Sequence, residues 1–138
     1  MTVIYTDIIG KAKGYDQYKF FKLNDLLKKS DYVSLHIPFI KEQGATIRRE
    51  QFDMMKDGAF LINCARGGVV DEEALVEALD SGKLAGAGVD VFVVEPTKNE
   101  ALVNHPKVSV TPHIGAATAE AQTRIGSEIT SIILDFFK

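Results

Sequence analysis

Three side chains in this sequence, Arg66, Glu95 and His113, are of the types that hydride transfer at a hydroxyl-bearing carbon requires. Such a reaction needs a base for the hydroxyl proton, a hydride acceptor, and a positive group that holds a carboxylate or polarises the product carbonyl. His113 can serve as the base and Arg66 as the positive group, with a nicotinamide ring as acceptor. A carboxylate such as Glu95 beside the imidazole would orient the ring and favour its protonated form, the acid needed for the reverse reduction. Taken singly, each residue has an ordinary structural explanation: an Arg after a strand pairs with a surface carboxylate, and a His beside a Pro lies in a loop. Their weight is collective, because ionisable groups recur where the apolar runs end. Asp7 follows the first run, His36 and Pro38 the second, Ala65 and Arg66 the third, Asp90 and Glu95 the fourth, and Pro112 and His113 the fifth.

Those runs, residues 3–5, 32–37, 59–63, 87–92 and 108–111, are apolar on successive residues, as strands covered on both faces would be. Helical patterns lie between them at 24–29, 49–55 and 71–80. The last is the clearest, with Asp71, Glu72 and Glu73 at its start, Leu75, Ala78 and Leu79 as its stripe, and Gly82 as its stop. A final helix begins at the N-cap Thr118 and carries Ile125, Ile129, Ile132, Ile133 and Phe136 at helical spacing, so it should pack as a long C-terminal element. Strand alternating with helix over residues 1–138 predicts one α/β domain: a doubly wound parallel sheet of five strands, with any ligand at the carboxyl ends.

Composition narrows the classes further. The chain has 138 residues, 46% hydrophobic and 25% charged, the balance of a globular domain. Sixteen basic against nineteen acidic residues leave a net charge of -3, which argues against nucleic acid or an anionic membrane as partner. No apolar stretch is long enough to span a bilayer. The one cysteine, Cys64, can form neither an internal disulfide nor a multi-thiolate metal site, so no metal is expected and the cytoplasm is the natural compartment.

Four segments in order carry a specific resemblance. They are Asp31-Tyr-Val-Ser-Leu-His-Ile-Pro38, Met55-Lys-Asp-Gly-Ala-Phe-Leu-Ile-Asn-Cys-Ala-Arg-Gly-Gly-Val-Val-Asp71, Leu84-Ala-Gly-Ala-Gly-Val-Asp-Val-Phe92 followed by Glu95-Pro96, and Thr111-Pro-His-Ile-Gly-Ala-Ala-Thr118. Together they resemble the nucleotide-binding domain of the NAD-dependent D-2-hydroxyacid dehydrogenases, the family containing D-3-phosphoglycerate dehydrogenase. The resemblance implies an oxidoreductase that uses NAD on a small 2-hydroxy or 2-oxo acid. It implies that Arg66 binds substrate, His113 is the acid/base and Glu95 its partner. It also implies that Asp90 faces the nicotinamide carboxamide and Asp7 accepts from the adenosine ribose hydroxyls, with His36, Pro38 and Ala65 at the cofactor site.

One departure is plain: no G-x-G-x-x-G occurs anywhere in the chain. The family's glycine-rich strand belongs before residue 1, and its substrate domain is absent too, so the expectation is a natural or truncated fragment that binds no cofactor by itself and turns nothing over. The competing reading is a non-catalytic, possibly engineered folding module. The family's Rossmann strand order is 3-2-1-4-5-6. Removing strand 1 and closing the gap would give the flavodoxin-like order 2-1-3-4-5, pairing residues 3–5 with 59–63 in a monomer. An unclosed gap would instead invite a domain-swapped dimer. Lys11 and Lys13 between Gly10 and Gly14 read as a solvated turn, Cys64 as structural, and His105 as a loop residue.

Overall fold

In the computed structural model, which describes residues 1–115 and 117–137, eleven elements follow one another. They are β1 (Ile4–Tyr5), β2 (Lys19–Phe20), α1 (Leu23–Lys29), β3 (Tyr32–Leu35), α2 (Arg49–Met54), β4 (Ala59–Asn63), α3 (Glu72–Asp80), β5 (Leu84–Val89), α4 (Glu100–Val103), β6 (Val108–Val110) and α5 (Ala119–Phe136). Local chemistry explains their limits. Asp71 caps α3 by accepting from the Ala74 N–H at 3.1 Å, and Gly82, at φ 77, ends it in the left-handed conformation that glycine adopts without strain. Thr118 caps α5 by accepting from the Ala121 N–H at 3.2 Å.

The main sheet is wholly parallel, in the order β3-β4-β5-β6. When successive parallel strands are laid down in one direction, right-handed crossovers put every connecting helix on the same face. Burial agrees: Val33 and Leu35 of β3, and Ala59, Leu61 and Asn63 of β4, are buried, while Tyr32 and Phe60 stack their rings 5.1 Å apart on the opposite, open face. The parallel α/β architecture is therefore as expected, but β3 and β4 alternate where cover on both faces was anticipated. The buried face packs on a core centred on Leu27, Ile47, Phe52, Leu61, Leu75 and Leu79.

The strand order differs from the expected 2-1-3-4-5. β1 does not enter the main sheet between β3 and β4; it pairs in parallel with β2, Ile4 opposite Lys19 and Tyr5 opposite Phe20, as a separate two-stranded sheet. β3 lies directly beside β4, with Val33 opposite Leu61 and Leu35 opposite Asn63. The physical reason is β2 itself, which at two residues is too short to produce a hydrophobic period. Once it is counted, the segment at Tyr32 is one strand further along the chain, and its partner is the next strand and not the first. The five-strand sheet is thus a sheet of four plus a sheet of two.

The C-terminal helix forms where the pattern predicts but does not pack as predicted. Ile125, Ile129, Ile132, Ile133 and Phe136 are all exposed, and Ala121 is the buried position among the described residues of α5. Helical spacing dictates a stripe; it does not supply the surface that covers it.

Candidate active site

Arg66, Glu95 and His113 line one cleft of about 530 Å³, together with Pro38, Phe39 and Gly67. The cleft lies beyond the carboxyl ends of β3, β4, β5 and β6, since Pro38, Arg66, Glu95 and His113 follow those strands in turn. Its central contact is between His113 Nδ1 and Glu95 Oε2, 2.8 Å apart. Glu95 Oε1 accepts from the Phe92 N–H at 3.1 Å. The hydrogen bond from His113, with that from Phe92, holds the Glu95 carboxyl below the usual glutamate range, so it is a carboxylate at neutral pH. A carboxylate can only accept, which assigns the proton to Nδ1 and leaves Nε2 as the ring nitrogen for exchange with a substrate.

The turn that presents His113 is fixed from below by Asp90. This carboxylate is 6% exposed. Its Oδ1 accepts from the Ile114 N–H at 3.1 Å and from the Thr111 hydroxyl. Burial pushes the Asp90 carboxyl up. The Thr111 hydroxyl, the Ile114 N–H, the neighbouring imidazole and the Gly115 N–H outweigh it, and the group sits below the ordinary aspartate range. His113 has φ 56, a left-handed backbone that non-glycine residues seldom adopt, and the bonds to Asp90 on either side hold it there.

Arg66 is placed by a second turn. Asn63, 3% exposed at the end of β4, accepts from the Ala65 N–H at 3.2 Å and donates to the Arg66 carbonyl at 3.3 Å. Arg66 Nη1 donates to the Ala65 carbonyl at 2.6 Å. Gly67 then presses on the Phe92 carbonyl so closely that a Cβ there would lie 1.8 Å from its oxygen. That contact joins the loop bearing Arg66 to the loop bearing Glu95.

Other sequence candidates fall outside this cluster. His36 faces the Ser34 hydroxyl, Oγ to Nε2 2.9 Å, and does not line the cleft. Asp7 follows β1 in the other sheet and accepts from the Ile9 N–H at 3.0 Å. Ala65 is buried in the core. His105 sits between Asp80 and the Lys107 N–H, and Cys64 is exposed. Pattern reading missed Asn63, Gly67 and Thr111. The polar Asn63 at the end of an apolar strand was a usable signal; Gly67 and Thr111 offer none until the two loops are seen in contact.

For a dinucleotide, the described residues fit unevenly. The acid/base pair and the guanidinium suit the nicotinamide end, and the exposed Asp7 carboxylate at a strand end suits ribose hydroxyls. Neither Gly10 nor Gly14 opens a helix, and Lys11 of that loop pairs with Asp16 at 2.8 Å, so among the described residues no such cradle for the pyrophosphate adjoins Asp7.

Residues 1–115 match the family model described as D-isomer specific 2-hydroxyacid dehydrogenase, NAD binding domain. D-3-phosphoglycerate dehydrogenase of Bacillus subtilis (strain 168) is 45% identical over 114 residues, 83% of this chain and 22% of that protein. Hydroxypyruvate reductase of Thermotoga maritima is 48% identical over 118 residues, 83% of this chain and 39% of that protein. Among solved structures, the NAD-dependent formate dehydrogenase of Staphylococcus aureus in complex with NAD superposes with a TM-score of 0.84 at 31% identity, covering 99% of this chain and 41% of that one. The chain thus spans well under half the length of each of these proteins.

Proposed function

This chain belongs to the family of D-isomer specific 2-hydroxyacid dehydrogenase NAD-binding domains, and on that premise we propose that it carries the cofactor side and the acid/base of a dehydrogenase acting on a small 2-hydroxy or 2-oxo acid. The observation that carries the reading is the His113–Glu95 pair sharing one cleft with Arg66. NAD, when bound, accepts or returns the hydride. Asp7 would hold its adenosine ribose, repelling a 2′-phosphate, while Asp90, Ala65, Pro38 and His36 would border its nicotinamide half. Arg66 holds the substrate carboxylate through its planar guanidinium. In oxidation, His113 Nε2 takes the hydroxyl proton as the carbonyl forms; in reduction the imidazolium returns it. Glu95, ionised at neutral pH, keeps the ring oriented in both directions and offsets its charge when protonated.

The pyrophosphate cradle and the wall that closes the cleft would come from outside these residues, so the chain alone is inactive. Cys64, the one cysteine, suits the reducing cytoplasm. The test is a chimera in which this chain replaces the matching segment of the Thermotoga maritima hydroxypyruvate reductase. It should oxidise NADH with a 2-oxo acid, and His113→Ala should lower kcat by about 10²–10⁴-fold. A chimera whose rate ignores that substitution would refute the assignment.

A further inference from the structure

We propose that Glu72 is a positioning residue for the acid/base pair, acting by closing the loop that carries Glu95. This rests on the reading of Glu95 and His113 given above. Glu72 is the first residue of α3. It is not needed as that helix's cap, because Asp71 already accepts from the Ala74 N–H. Both Glu72 oxygens are instead used outside the helix. Oε1 accepts from the Val93 N–H and Oε2 from Asn99 Nδ2, each at 2.8 Å. Val93 and Asn99 are the two ends of the segment that contains Glu95, so one carboxylate ties both ends to one helix terminus.

The consequence for Glu95 follows from the adjoining bonds. The successive N–H groups of Phe92 and Val93 are taken by two different carboxylates, Glu95 and Glu72. Loss of the Val93 bond frees the peptide next to the one that fixes Glu95 Oε1, and with it the carboxylate that meets His113. The far end is equally determined. Asn99 Oδ1 accepts from the Leu102 N–H at 3.2 Å as the cap of α4, which leaves its Nδ2 turned toward Glu72. A carboxylate is therefore the group that satisfies both donors at once.

The polarity of the clasp can be reversed, which provides the test. Glu72→Gln retains an acceptor for Val93 but turns an amide donor against the Asn99 amide donor. In Glu72→Gln with Asn99→Asp, the new aspartate accepts from both the glutamine and the Leu102 N–H, and it is itself a good helix cap. The readout is the carboxyl carbon resonance of Glu95 in this chain, followed through its acid titration by NMR, with thermal melting of each variant alongside. Glu72→Gln should raise the Glu95 midpoint toward that of an ordinary glutamate, because the bonds that lower it are loosened. The double variant should bring it back toward wild type. A lowered melting temperature with an unmoved Glu95 titration would assign Glu72 a purely structural part and overturn the proposal. So would a titration displaced by Glu72→Gln and not restored by the second substitution. If the single variant fails to fold, the double variant alone decides, by whether its Glu95 midpoint matches wild type. None of these readouts depends on turnover, so an inactive chimera refutes the dehydrogenase assignment without touching this result.

Discussion

At the scale of single residues, the cleft depends on contacts that leave no room for change. Gly67 is the sharpest case, since any Cβ would collide with the Phe92 carbonyl oxygen, a backbone atom that cannot swing aside. Gly67→Ala should destabilise the chain by about 1–3 kcal/mol, the usual range for overpacking, and a urea midpoint would measure it. Asp90 makes a prediction about pH. Its carboxyl is lowered in the folded state from the ordinary value of 3.8, so the stability it contributes is fully present above that value and is lost as pH falls through the folded one. Urea midpoints should therefore drop on the acid limb, and Asp90→Asn, which cannot ionise, should drop less across the same range. Equal acid limbs in the two proteins would rule out this source of acid sensitivity. Much of the site was legible at this scale: Arg66, Glu95 and His113 were all chosen from the sequence, because motifs fix residue type and spacing. Asp7 and His36 do not line this cleft: Asp7 follows β1 in the other sheet, and His36, at the end of β3 in the main sheet, faces the Ser34 hydroxyl, since spacing along a chain does not say which way a side chain turns once its strand ends.

At the scale of elements, capping and periodicity were reliable and pairing was not. Asp71, Thr118 and Gly82 act where local chemistry places them, since a cap involves atoms only a few residues apart. The two-residue β2 and the four-residue α4 were invisible, being shorter than any period that could announce them. The long helix α5 has the expected stripe yet leaves it in solvent, with Ile132 61% and Ile133 51% exposed. A charge there should be tolerated: Ile132→Glu should alter stability by no more than about 0.5 kcal/mol, as surface substitutions do. A loss of several times that in a urea titration would mean that the stripe is covered in solution.

At the scale of the whole molecule, two parallel sheets and a one-sided helical layer set what the chain can bind. β3 ends the main sheet, and β1 has β2 as its partner. The chain reaches about a fifth to two fifths of its curated relatives' length, 22% of one and 39% of the other. Calorimetric titration with NADH should give no saturable heat up to millimolar concentration, because the cradle that would hold the pyrophosphate is not among the described residues. Saturable micromolar binding would show that the chain completes a phosphate site, by itself or with a second copy.

The sequence by itself determined the class of fold, the Asp71 and Thr118 caps, the family and the choice of Arg66, Glu95 and His113 as site candidates, all of which rest on residue identity and short-range spacing. Only the tertiary structure decided that Ile4–Tyr5 pairs with Lys19–Phe20 and not with Ala59–Asn63, that Asp90 anchors the His113 turn, and that Glu72 reaches across to Val93 and Asn99. Strand partners and buried polar bonds join residues many positions apart. Their choice depends on which surfaces remain to be covered once the neighbouring elements are in place, a quantity that no local pattern contains.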